Sequence, residues 1–212
     1  MQLRIKSPTH KQRLTNYLEN SLLDFGFGWT LSKLLPYLLF IALGVVLLRF
    51  SLKLRLIFWL RFPVAIILLL LPFCSYFFFY PIYQPDIFNT AYKPKILPQE
   101  KPAKTTLAVV VLPGCPYCLQ TAEQMNRLAE QNKKLQIVYY FVSEDPSALK
   151  LFRSKLHKRI RLKYSHDATL WMLAAEGVFP SYLLFDHQQL KRAWHNTTFG
   201  VRALDELSSY QN

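Results

Sequence analysis

Apolar positions along this chain come first in two long unbroken runs and later only in short ones. "LLPYLLFIALGVVLL", Leu34 to Leu48, carries no charge and extends back to Trp29 if Lys33 snorkels from its near end. "VAIILLLLPFCSYFFFY", Val64 to Tyr80, is also uncharged, and between Phe62 and Lys93 the one charged residue is Asp86. A core helix of a soluble protein seldom needs more than about 14 consecutive apolar residues. The pattern predicts two transmembrane helices, forming a hairpin over residues 29–82. Trp29, Trp59, Tyr80 and Tyr83 stand where interfacial aromatic belts are expected. Pro36, Pro63 and Pro72 fit near helix ends or with a kink, Pro72 leaving one carbonyl to be satisfied otherwise. "RFSLKLR" follows the first run in place of a small-residue cleavage site, so that run is expected to stay as a span.

Both flanks of the hairpin read differently. In the tail, residues 1–28, "LTNYLENSLLDFGF" spaces Leu14, Leu18 and Leu22 as an interfacial amphipathic helix would. Residues 83–104, with Pro85, Pro94, Pro98 and Pro102, read as an extended linker.

From residue 105 to 212 short apolar runs alternate with amphipathic ones. "TTLAVVVL", Thr105 to Leu112, and "LQIVYYFV", Leu135 to Val142, are buried strands. Pro116 suits a first helical position, and Ala122, Met125 and Leu128 predict a helix over Cys118 to Asn132. Leu149, Phe152, Leu156 and Ile160 predict an amphipathic helix over Ser147 to Ile160, and His166 to Gly177 predicts another, closed by glycine. "SYLLF" and "LKRAWHN" form a strand pair about a turn at 186–189, and "ALDELSSY" closes as a helix. The order β, α, β, α, α, β, β, α predicts an α/β domain with helices flanking a central mixed sheet.

Charge orients this scheme. The chain carries 26 Lys and Arg against 13 Asp and Glu, a net +13. Arg49, Lys53, Arg55 and Arg61 lie in the connection between the spans, which the positive-inside rule makes cytoplasmic. Arg4, Lys6, Lys11 and Arg13 pull the amino terminus the other way, mostly from near the outer limit of effective distance. In a bacterial inner membrane the carboxy-terminal domain is then extracytoplasmic (periplasmic), where dithiols can be oxidised. The basic run Lys150 to Lys163 reads as a solvated helix face or a surface for anionic lipid headgroups. It lacks interleaved aromatics for base stacking, and the expected compartment also argues against nucleic acid as a partner.

Three cysteines are present. Cys74, inside the second span, is expected to be a buried small apolar residue. Cys115 and Cys118, in "LPGCPYC", sit at a strand-to-helix junction. Backbone amides at a helix start stabilise an anion, which would make Cys115 the attacking thiolate and Cys118, one turn on, the resolving thiol. The same spacing also suits a static disulfide, or half of a zinc site, although His157, His166, His187 and His195 show no paired spacing.

Strand, "CPYC" and helix, together with "EGVFPSYLLFD", resemble the thioredoxin superfamily in its membrane-anchored bacterial form, over Thr105 to Tyr210. The resemblance implies thiol-disulfide oxidoreductase activity with no cofactor beyond the Cys115–Cys118 pair. It implies that Pro180 is cis beside that pair and that Phe179 offers backbone hydrogen bonds to a substrate chain. Pro180, Phe179, Tyr117 and Pro116 are thus the candidate substrate-binding residues. The implied partners are the bilayer, protein thiols or disulfides, and a separate electron donor or acceptor, because Cys74 alone cannot relay electrons through the spans. Three positions depart from the family pattern. Val109 stands where many thioredoxins carry a buried carboxylate, Gly114 where they carry tryptophan, and "DHQQ" where glutaredoxins place a glycine pair for glutathione. A rival reading is an accessory subunit of a larger membrane assembly, with the domain as an interaction platform.

Overall fold

Backbone groups in a bilayer find no water to bond, so an apolar run must satisfy them internally as helix. The computed structural model describes residues 18–53, 58–143 and 145–210. Its two long apolar helices are α1 (Trp29–Lys53) and α2 (Phe58–Phe79). Trp29–Ser51 and Phe62–Phe79, with mean hydropathies of 2.2 and 2.3, are long and apolar enough to cross a membrane. Gly44 allows their close approach, since a Cβ there would collide with the Leu69 carbonyl oxygen. Further along, Tyr76 stacks on Phe40 at 4.6 Å and meets Tyr37 edge-on at 4.7 Å. Lys33 pairs with Glu19 at 3.2 Å.

The small residue on the buried face of α2 is Ala65, three turns before Tyr76, and not Cys74. Cys74, two positions from Tyr76 and therefore roughly on the opposite side of the helix, is exposed on the outer surface of α2. Residues 18–24 are helical, but Leu14 of the expected amphipathic segment lies outside the described residues.

Residues 84–212 form a second compact unit. Its strands are β1 (Thr106–Val111), β2 (Gln136–Phe141), β3 (Arg161–Tyr164), β4 (Ser181–Asp186) and β5 (Gln189–His195). They lie in the order β3-β2-β1-β4-β5. Strands β1, β2 and β3 run parallel, while β4 is antiparallel to both β1 and β5. Strand β1 is central and every residue in it is buried, which accounts for its unalternating apolar sequence. This is the expected thioredoxin-like architecture, a mixed sheet flanked by helices.

Ala108, Val110, Tyr140, Leu183 and Phe185 build a core on one face around Trp171, whose ring stacks on Tyr140 at 4.0 Å. Trp171 belongs to helix α7 (Ala168–Ala174). Tyr139 and Phe141, on the other face by alternation, meet Phe152 of helix α6 (Pro146–Lys155). Trp194 and Tyr182 both pack on Phe199, just before helix α8 (Val201–Ser209).

Three local expectations are corrected. The helix expected to reach Ile160 stops at Lys155, with Leu156 extended, and the end of the basic run becomes strand β3. That strand is short and half-exposed at the sheet edge, so "RLKY" has no apolar signature of its own. Cys118 to Asn132 is not one helix but two, α4 (Pro116–Gln120) and α5 (Ala122–Gln131), joined at Thr121. Lastly, residues 84–104 belong to the domain and are not a free linker. They begin with helix α3 (Gln84–Ile87), and Pro85 packs so close to Gly200 that a Cβ there has no room. The Tyr92 amide donates to the Ala193 carbonyl at 2.8 Å, and the Gln188 amide to that of Pro102 at 3.1 Å. Prolines interrupt regular structure in this segment, yet its polar groups are matched to the domain surface.

Candidate active site

Strand β1 delivers the chain to the turn before the cysteines. Gly114 takes φ +76°, where any other residue would be strained, and so aims Cys115 into the helix start. Cys115 is the N-cap of α4, and Pro116 fills the first turn, where its missing amide costs nothing. The Cys118 amide donates to Cys115 Sγ at 3.2 Å. Because α4 is only five residues long, this single amide is the most direct local support for negative charge on that sulfur.

Cys115 and Cys118 form a disulfide with their Cα atoms 5.3 Å apart. Cys115 is half-buried, whereas Cys118 is fully buried. An incoming sulfur can therefore reach Cys115 and not Cys118. Of the two residues between them, Tyr117 and Pro116 are both exposed beside the disulfide.

From the far end of the domain, the Phe179–Pro180 peptide is cis, and the Phe179 carbonyl oxygen lies 3.9 Å from Cys115 Sγ. Pro180 is buried and Phe179 half-buried against the core. The structure thus gathers Cys115, Cys118, Pro116, Tyr117, Phe179 and Pro180 at one end of the sheet. Among the described residues no three of His, Cys, Asp or Glu are placed to hold a metal ion.

On strand β1, Val109 is fully buried and is flanked in register by Tyr139 on β2 and Tyr182 on β4. Both phenol hydroxyls are buried with no partner in hydrogen-bond geometry. Burial pushes both phenols well above their ordinary range, with Thr121 acting against the shift, so they stay neutral. Thr121 Oγ1 itself donates to the Cys118 carbonyl at 3.1 Å.

The histidine at the end of β5 belongs to this end of the molecule. His195 lies opposite Ser181, the residue after Pro180. Its Nδ1 is 3.1 Å from Ser181 Oγ and its Nε2 is 3.2 Å from Glu176 Oε2. Tyr92 stacks on the imidazole at 3.7 Å and donates its hydroxyl to the Ala174 carbonyl at 2.7 Å. Burial pushes the Tyr92 phenol up to about 12.

Sequence counting from the two-residue turn at His187 and Gln188, both at positive φ, would have put Trp194 opposite Ser181. A bulge at Leu184/Phe185 shifts the register by one residue and brings His195 there. The basic run is partly spent within the domain. Arg159 donates to the Ala129 and Lys133 carbonyls, and Lys163 pairs with Glu100 at 2.9 Å.

Fold and site define a thioredoxin-like domain with an oxidised CxxC pair, in a chain whose first unit holds two membrane-length apolar helices. No family model and no curated protein matches the sequence. Among solved structures the chain is similar to a secreted Mycobacterium tuberculosis disulfide oxidoreductase described as homologous to E. coli DsbE. The identity is 17%, the TM-score 0.42, and the match covers 50% of this chain and 81% of that one. It is also similar to a putative thiol:disulfide interchange protein DsbE from Chlorobium tepidum, at 12% identity and TM-score 0.43, covering 56% and 98% of the two chains. StoA from Bacillus subtilis matches at 14% identity and TM-score 0.40, covering 57% of this chain and 98% of its own.

Proposed function

We propose that this protein is a membrane-tethered thiol-disulfide oxidoreductase that exchanges disulfides of extracytoplasmic proteins through Cys115 and Cys118. The observation that carries this reading is the asymmetry of the pair: a reachable Cys115 beside the Phe179 carbonyl, and a fully buried Cys118.

In the oxidising direction, a substrate thiolate attacks Cys115 Sγ and forms a mixed disulfide. The Cys115–Cys118 bond breaks, and the Cys118 sulfur leaves with the electron pair and takes up a proton. A second substrate thiolate then attacks the substrate sulfur of the mixed disulfide. The substrate leaves with a new disulfide, and Cys115 leaves as thiolate or thiol. Two electrons have passed to the protein. The reducing direction runs the same steps backwards, with Cys115 attacking a substrate disulfide and Cys118 releasing the product. Pro180, Phe179, Tyr117 and Pro116 form the surface on which the substrate chain rests.

The chain offers no second dithiol, so a separate thiol or disulfide protein recycles the pair. Positive charge between the spans keeps that connection cytoplasmic and the domain on the outer side of a bacterial inner membrane.

The test is a redox titration of the full chain in detergent, beside a Cys118→Ala variant screened for trapped mixed disulfides. A reversible couple between about −120 and −270 mV, with adducts on Cys115, supports exchange. A disulfide that stays closed below about −300 mV, with nothing trapped, would make the pair a structural staple and favour an interaction platform.

A further inference from the structure

Residues 176–181 carry the backbone that faces Cys115, and a single side chain from another strand ties both of their ends. Glu176 and Gly177 leave α7 at positive φ, and Ser181 starts β4. His195 reaches Glu176 through Nε2 and Ser181 through Nδ1. Ser181 Oγ closes the interior of the segment by donating to the Val178 carbonyl at 2.7 Å.

The groups facing the ring are few. Glu176 comes from the loop, and Tyr92 comes from the segment before β1, its hydroxyl donating to the Ala174 carbonyl and lying beside the Ser181 side chain. Strand β4 contributes the Ser181 hydroxyl, and the turn after β5 contributes that of Thr198, which accepts from the His195 amide at 3.2 Å.

We propose that His195 is a positioning residue for disulfide exchange: it ties both ends of residues 176–181 and thereby fixes the Phe179 backbone, where a substrate chain pairs, relative to Cys115. The proposal rests on the exchange reading above and adds a residue to it. Its reach is specific, because the brace acts on the backbone that holds a peptide and touches neither sulfur. A peptide substrate should feel its loss, and a small dithiol, which makes no backbone pairing, should not.

The experiment uses the full chain in detergent with two substrates, a short peptide carrying one disulfide or its dithiol form, and dithiothreitol. In His195→Phe, which keeps a ring against Tyr92 and loses both bonds, KM for the peptide should rise about tenfold, kcat should hold, and the dithiothreitol rate should not change. His195→Gln, which can still donate to Glu176, should recover part of the loss.

Peptide KM within twofold of wild type in His195→Phe would overturn the proposal. A parallel fall of the peptide and dithiothreitol rates would overturn it too, because it would mark a general disturbance of the site. A wild type that exchanges with neither substrate would defeat the exchange reading itself, a result that no variant is needed to see.

Discussion

The indole nitrogen of Trp194 donates to Asn89 Oδ1 at 2.6 Å, joining a fully buried ring on β5 to a segment 105 positions earlier in the chain. Asn89 Nδ2 donates in turn to Glu206 on α8, also at 2.6 Å, and Glu206 pairs with Arg192 at 3.0 Å. One amide thus closes a chain of polar contacts from β5 to α8. Asn89→Ala would leave the buried indole N–H without an acceptor, at a cost of about 1–3 kcal/mol. The urea midpoint of the domain should fall accordingly, and Asn89→Asp, which keeps an acceptor for the indole but sets a second carboxylate against Glu206, should not recover it. An unchanged midpoint in Asn89→Ala would mean that residues 84–104 do not contribute to the fold.

Tyr139 and Tyr182 pose the opposite case, since their buried hydroxyls gain nothing from the protein around them. A buried polar group without a partner costs about 1–3 kcal/mol, and replacing it by hydrogen leaves the ring packing intact. Phe141 shows that the same sheet accommodates phenylalanine at a fully buried position. Tyr139→Phe and Tyr182→Phe should each leave the protein as stable or raise its stability by about 1 kcal/mol. Chemical denaturation measures this directly. A loss of more than about 1 kcal/mol would show that each hydroxyl is bonded in solution, through water or through Thr121.

How much of this was legible beforehand depended on how local each signal was. The two apolar helices, the buried β1 and the Cys115–Cys118 junction could be read because each is encoded within a few consecutive residues. Pro180 was placed near the cysteines by the family resemblance, and no periodicity pointed to it. Strand β3 was missed because its residues are half-exposed and basic, so their pairing with β2 comes from the sheet and not from their own pattern. Asn89 and Tyr92 were hidden in a proline-rich stretch whose partners lie about a hundred residues downstream. His195 was lost to a one-residue bulge, a feature that no counting rule anticipates. Cys74 was misplaced because an all-apolar helix carries no stripe to tell its inner face from its outer one.

Acid should weaken one contact in a readable way. Thr105 Oγ1 donates to Asp186 Oδ1 at 2.8 Å, and His187 Nδ1 lies 2.9 Å from the same oxygen. The Thr105 hydrogen bond is the main reason the Asp186 carboxyl sits below its usual range; burial opposes it, and His187 and Lys191 add to the lowering. A carboxylate lowered in the folded state stabilises the fold above its unfolded pKa, and that stability is lost as pH falls through the folded value. The loss therefore falls below about pH 4. Thr105→Val should move the Asp186 titration, followed by NMR, back up toward the ordinary value. A titration curve that does not move would show that the hydroxyl bond is not what holds the carboxylate down.

The hairpin makes its own demand, at Gly44. A Cβ there would meet the backbone carbonyl of Leu69, an obstacle that cannot rotate away as a side chain could. Within a bilayer, helices associate through close packing, and small residues at the crossing are what permit it. Gly44→Ala should therefore push α1 and α2 apart and cost about 1–3 kcal/mol, the usual range for overpacking. Ala42, exposed two positions away, supplies the control, since Ala42→Leu adds more volume but meets no helix. Thermal unfolding of the full chain in detergent should show a lower transition for Gly44→Ala and none of that loss for Ala42→Leu. Equal behaviour of the two variants would mean that the helices do not cross at Gly44.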